Sequence, residues 1–187
     1  SGKLDDGQIL VDAEDEGTVK LVLNGVDITN SDSAPIFIKS AESTVISLPE
    51  GTENVLTDGN EYVFTDESKD EPDAALFSKD DLTINGTGSL AVHANYNDGI
   101  AGKDDVRITG GDITIHAVDD GLSGRDLLAV KEGTLTIDAG GDGLKSTKNE
   151  ESKGIVVLEG GNYEVTAGGD GIQAETSLYI ADGSYKF

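Results

Sequence analysis

From residue 99 onward, apolar and polar positions alternate in short bursts, and the bursts recur. Val106, Ile108, Ile113, Ile115 and Ala117 are followed by Leu128, Val130, Leu135, Ile137 and Ala139, and then by Val156, Leu158, Tyr163, Val165 and Ala167. Leu178 and Ile180 begin a further copy. Polar residues, among them Arg107, His116, Asp138 and Glu164, stand between the apolar ones. A period of two marks strands buried on one face only. Gly-Gly, Glu-Gly and Asp-Gly pairs interrupt the alternation, so each copy reads as about three short strands joined by tight turns. No stretch places apolar residues at i, i+3, i+4 and i+7, which excludes an amphipathic helix.

The copies are evenly spaced. Gly99 to Gly121 is 22 residues, Gly121 to Gly143 is 22 again, and Gly143 to Gly171 is 28 because of the polar insertion TKNEES. One such unit cannot close a core, so its apolar columns must stack on those of its neighbours. The pattern predicts an all-β chain, a right-handed parallel β-helix of roughly 22-residue coils, each about 4.8 Å above the last. Upstream, Leu76, Leu82, Ile84, Leu90, Val92 and Ala94 fill the same columns. Val19, Leu21, Leu23, Val26 and Ile28 suggest a looser early coil, and residues 31–64 suggest another whose register Pro35 and Pro49 blur. The run TDESKDEP at 65–72 reads as an acidic surface loop. We expect one domain over residues 1–187, truncated at its C-terminal end, because the last copy stops half-way through a coil and leaves strand edges open.

Charge narrows the partners. With 37 acidic against 13 basic residues, the net charge of -24 repels nucleic acid and anionic membrane and attracts multivalent cations. No apolar run is long enough to span a bilayer, and the first residues lack the features of a secretion signal. We therefore expect no nucleic acid, no membrane insertion and a monomer. Without cysteine there is neither a disulfide framework nor a thiolate metal site, and the redox compartment stays open.

One dipeptide recurs at the same place in four copies: Asp98-Gly99, Asp120-Gly121, Asp142-Gly143 and Asp170-Gly171, with Asn97 and Asp119 just ahead of the first two. In stacked coils these carboxylates form a ladder. Like charges about 4 Å apart repel by roughly 1 kcal/mol in water and by more where water is thin. They must be protonated, splayed or neutralised. A hard cation such as calcium takes about six to eight oxygen ligands, and we expect calcium on this edge, held by Asp98, Asp119, Asp120, Asp142 and Asp170. The plainer reading is that Asp-Gly is a good turn dipeptide reused in every coil. A nonapeptide calcium roll does not fit the period.

The succession FSKDDLTINGTGSL, YNDGIAGKDDVRITGG, VDDGLSGRDLLAV, GGDGLKSTK and GGDGIQAETSLYI, preceded by GTVKLVLNGVDITNSDSAPIFIK, resembles a family of bacterial extracellular carbohydrate-binding domains. The resemblance covers nearly the whole chain. It implies a right-handed parallel β-helix similar to pectate lyases, secreted or attached to the cell surface. It also implies binding of plant cell-wall polysaccharide, cellulose or polygalacturonate, with calcium held on the helix and little or no catalysis.

The residues permit such a site. There is no Trp to build a flat platform, but Tyr96, next to Asn97 and Asp98, and Tyr179, at an outward strand position, could stack on sugar rings. Tyr163 lies in an inward column and belongs to the core. Lys103, Arg125, Lys145 and Lys148 could meet uronate carboxylates directly, or could merely balance Asp104, Asp126, Glu150 and Glu151. The alternatives are a calcium-dependent polysaccharide lyase using Lys145 or Arg125 as the base, and a structural surface adhesin. His93 and His116 share an outward column beside Asp138 and Thr166 and read as exposed histidines.

Overall fold

The computed structural model describes residues 1–13, 17–64 and 71–187. The strands run parallel and stack into a β-solenoid, and the described residues contain no helix. Six of the eight residues expected to form the acidic loop, 65–70, lie outside the described residues; Glu71 and Pro72 lie within them.

Three faces build the solenoid. The first is a seven-stranded sheet with one strand per turn, including Ile36–Ser40, Ala74–Ser78, Asp98–Gly102, Leu122–Gly124, Leu144–Ser146 and Ile172–Ala174. The second and third belong to one continuous 13-stranded sheet, because the long strands Asp105–Ala117 and Leu127–Ala139 bend from one face into the other. The bend falls near Gly110, whose φ of 149° few side chains tolerate. Each chain turn visits the first, second and third face in order and then passes the Asp-Gly corner back to the first.

The apolar columns pair as expected. Ile36, Leu76, Ile100, Leu122 and Leu144 stack behind the first face. Ile46, Ile84, Ile108, Val130 and Leu158 stack behind the second. Leu56, Val92, Ile115, Ile137 and Val165 stack behind the third. All of these are buried, and burying each such side chain is worth about 1.5–3 kcal/mol. Tyr163 is core, 3% exposed, and stacks on Tyr185 with ring centroids 4.7 Å apart.

The coil spacing stretches in the lower half. Ile36 on the first face pairs with Leu76, so the chain between them carries extra residues beyond a regular coil. Part of that excess forms a cap against the outside of the first face. Phe77 faces outward in the column Phe37–Phe77–Ala101, yet it is fully buried. Phe37 lies 5.7 Å from it, and the Lys103 ammonium sits 5.5 Å above its ring.

Candidate functional site

The Asp-Gly corner holds a ladder of side chains hydrogen-bonded to backbone. Asp120 donates its backbone N–H to Asp98 Oδ1 at 3.1 Å, Asp142 donates to Asp120 Oδ1 at 2.8 Å, and Asp170 donates to Asp142 Oδ1 at 2.7 Å. Each of the lower three aspartates therefore accepts the backbone N–H of its own counterpart one turn higher. A charged acceptor makes a stronger bond than a neutral one, which gives the repeated acid a role independent of any ligand. Glycine follows each aspartate because the coils touch here: a Cβ on Gly121 would stand 2.4 Å from Ile137 Cγ2 and 2.8 Å from the Gly143 carbonyl.

The residues ahead of the ladder behave differently from one another. Asn97 donates from Nδ2 to Asp98 Oδ1 at 3.2 Å. Asp119 is exposed, and its Oδ1 lies 2.3 Å from where a Cβ on Gly141 would be. Glycine thus replaces the acid at this position one turn up.

A cation already occupies the middle of the ladder, and it is a side chain. Lys145 Nζ lies 2.8 Å from Asp120 Oδ2 and 2.8 Å from Asp142 Oδ2. Burial alone would raise Asp142, but the Lys145 hydrogen bond and the Asp170 N–H outweigh it and hold its carboxyl below the usual value. For Lys145 burial opposes the charge, but the two carboxylates prevail and raise its pKa. Asp98 is the opposite case. It is 9% exposed and has no ion pair among the described residues. Its carboxyl is pushed up to about 8, first by burial and then by the charge of Asp120.

Beside the ladder, the outer surface of the first face forms a hollow of about 190 Å³. Asp98, Asp120, Lys103, Arg125, Lys145 and Thr147 line it, together with the small residues Ala101 and Ser123. Lys103 also pairs with Glu71 at 3.1 Å and Asp73 at 3.7 Å, where local charge balance beside Asp104 was the alternative from sequence. Arg125 is exposed and makes no ion pair among the described residues. Lys148 turns away and meets Glu150 at 2.6 Å.

The hollow thus gathers Asp98, Asp120, Lys103, Arg125 and Lys145, and leaves out the other expected site residues. Asp142 stands behind Lys145, and Asp170 is the exposed top step. Tyr96 stacks on Tyr62 with centroids 4.1 Å apart, and Tyr62 donates its hydroxyl to the buried Asp58 at 2.7 Å. One face of the Tyr96 ring is therefore covered by protein. Tyr179 lies on the second face. The His93 and His116 rings stack at 5.6 Å, with His116 Nδ1 3.6 Å from Asp138 Oδ2. No group of three or more carboxylates or imidazoles among the described residues converges to hold a metal ion.

Sequence reasoning missed Asp73, Phe77, Ser123 and Thr147 on the rim. Ser123 and Thr147 had a signal, since outward positions beside a repeated motif share its surface. Asp73 had only the irregular spacing before Leu76, which marks an insertion without saying where it packs.

A family profile for carbohydrate-binding domain-containing proteins matches residues 1–187. The chain belongs to this family. A carbohydrate-binding domain-containing protein of Acetivibrio thermocellus is 53% identical over 117 residues, covering 63% of this chain and 41% of that protein. The match thus spans less than half the length of that relative. A solved structure described as a polysaccharide lyase-like protein from C. thermocellum, in a gadolinium derivative, superposes with a TM-score of 0.92. It is 41% identical, and the match covers 99% of this chain and 85% of that one. The fold and the polysaccharide-related neighbour agree with the resemblance read from the repeats, and in this carbohydrate-binding domain the hollow by the ladder gathers Asp73, Asp98, Asp120, Lys103, Arg125 and Lys145.

Proposed function

We propose that this domain is a non-catalytic, extracellular binder of plant cell-wall polysaccharide that takes an acidic polymer such as polygalacturonate in the hollow beside the Asp ladder. One observation carries the reading: in a chain of net charge -24, three of the 13 basic residues, Lys103, Arg125 and Lys145, meet at one recess. Arg125 offers a planar fork suited to a carboxylate, and Ser123 and Thr147 offer hydroxyls for the rest of a sugar unit.

Calcium fits one step of the ladder and not the next. At Asp120 and Asp142 the Lys145 ammonium stands where an ion would bridge. At Asp98 a buried carboxylate has no basic partner among the described residues, and Asp73 lies on the same rim. We place calcium there, with Asp98 and Asp73 supplying protein oxygens and the polymer and water the remainder. Such an ion would link protein carboxylates to uronate carboxylates.

The groups considered as lyase bases support binding over catalysis. A base must be deprotonated, whereas Lys145 is held charged between two carboxylates and arginine keeps its proton. Retention of the protein on immobilised polygalacturonate tests the reading. Retention should fall roughly tenfold in Arg125→Ala, the loss of one charged contact, and should fall again in chelator. No unsaturated uronide should form. A protein that passes unretained in the presence of calcium, or that releases unsaturated product, overturns the proposal.

A further inference from the structure

The second face changes character as the solenoid rises. In its middle turns the outward residues are polar: Asp81, Thr83 and Asn85, then Asp105, Arg107 and Thr109. One turn higher they become Leu127 and Ala129, and the next turn places Ile155 and Val157 directly above them. Tyr179 follows above Val157 and is 59% exposed. Leu127, Ala129, Ile155 and Val157 all point outward and are only partly covered. A strongly acidic solenoid thus carries one flat apolar block on its outside, three turns tall, which the core does not use.

The longest of the Asp-Gly coils lies beside that block. The insertion at 147–152 stretches the spacing from Asp142 to Asp170 to 28 residues, against 22 in the two coils below. It forms the wall of an open cleft of about 480 Å³, lined by Asn149, Glu150, Glu151, Ile155, Ser177 and Tyr179. Asn149 Nδ2 donates to Glu175 Oε1 at 2.8 Å, which fastens the wall to the next turn. Ser152, in the wall, has a φ of 64°, the sole non-glycine with positive φ among the described residues. Left-handed backbone at a side-chain-bearing residue is kept where the surroundings require it, and often marks a functional position.

We infer that this block and its wall form a second carbohydrate site, for a neutral pyranose polymer. The inference rests on the carbohydrate-binding reading above but not on the hollow beside the ladder. A pyranose presents C–H faces flanked by hydroxyls, so it needs an apolar floor with a tyrosine ring and hydrogen-bonding groups at the rim. Ile155, Val157 and Tyr179 make the floor; Asn149, Ser177 and Glu150 make the rim. Charge selects the occupant. Glu150 and Glu151 are exposed at the cleft, and their carboxylates accept hydroxyl hydrogens but repel uronates. The two sites therefore divide the ligands: uronate polymer at the hollow beside the ladder, neutral glucan at the apolar block.

Calorimetric titration with cellohexaose, the neutral probe, and with oligogalacturonate tests this on the intact chain. Tyr179→Ala should weaken cellohexaose roughly tenfold, the worth of a stacked aromatic contact, and leave oligogalacturonate unchanged. Tyr179→Phe, which keeps the ring, should bind cellohexaose like the parent. Val157→Asp, which places a charge on the floor away from the ring, should also abolish neutral binding, with unchanged circular dichroism. Absence of cellohexaose binding by the parent, or parent-like binding by Tyr179→Ala, overturns the inference. So does parallel loss of both ligands in Tyr179→Ala. If oligogalacturonate fails to bind while cellohexaose binds through Tyr179, the acidic-polymer reading falls and the second site stands.

Discussion

The lower and upper ends of the aspartate ladder use the same Asp-Gly corner in two electrostatic states. At the lower end Asp98 is buried, has no basic partner among the described residues, and is pushed up to about 8. Higher up, Asp142 shares an ammonium with Asp120 and is held below the ordinary carboxylate value. Both carboxylates accept a backbone N–H from the turn above, so the backbone role is common and the charge balance is not. The difference is one side chain. Lys145 reaches Asp120 and Asp142 but not Asp98, so among the described residues no ion pair offsets the burial of Asp98. A repeat can therefore keep the same backbone bond from copy to copy while one neighbouring residue sets the charge balance of each step.

The largest test of the shared role compares Asp120→Ala with Asp170→Ala. The first leaves the Asp142 N–H without its acceptor and Lys145 without one carboxylate, and should cost about 3 kcal/mol. Asp170 is the exposed top step, and its loss should stay within about 0.5 kcal/mol. Urea unfolding midpoints at constant slope measure both, and equal shifts would show that the ladder bonds carry no weight. A somewhat smaller effect belongs to the glycines. Gly121→Ala forces its Cβ against the Gly143 carbonyl and Ile137 and should cost about 2 kcal/mol. Gly171→Ala meets only the Phe187 ring at the end of the chain and should cost less, since that ring can swing aside.

A third experiment isolates Asp98. In the unfolded chain its pKa is near ~4, while in the folded chain it is about 8. Between those values the folded state holds the extra proton, so stability falls as pH rises through the window and then levels. In chelator, the stability of Asp98→Asn relative to the parent should therefore increase from about pH 4 to pH 8 and stay flat above. A gap independent of pH would mean that Asp98 is ionised without assistance. The smallest effect concerns Lys145. Replacing it by Met frees two carboxylates for an ion, so calcium should raise the melting temperature of Lys145→Met more than that of the parent. An identical calcium shift in both would remove the ammonium from the charge balance of the ladder.

Much of the fold was legible because a period-two pattern repeated at 22 residues admits few packings. The columns Ile108–Val130 and Ile115–Ile137 could be aligned on paper, and they pair that way in space. The candidate site was legible only in part. Asp98, Asp120, Lys103, Arg125 and Lys145 stand close to the repeated corner in sequence and remain close in the fold. Tyr96 also stands next to Asn97, yet its ring is taken by Tyr62, a residue 34 positions away in an irregular coil. Adjacency along a strand places alternate residues on opposite sides, and it does not say what an insertion will cover.

Local pattern by itself determined the strand alternation, the stacking of turns, the glycine after each aspartate and the existence of a carboxylate ladder. Each follows from steric and hydrophobic rules that act within one coil or between identical neighbours. Tertiary structure alone decided which oxygen meets a backbone N–H, that Lys145 spans Asp120 and Asp142, and that Asp98 is buried. It also decided that the 147–152 insertion stands beside Tyr179. Those outcomes depend on distances of a few ångströms between residues of different turns. Charge balance and burial are properties of that three-dimensional neighbourhood, and no single repeat contains them.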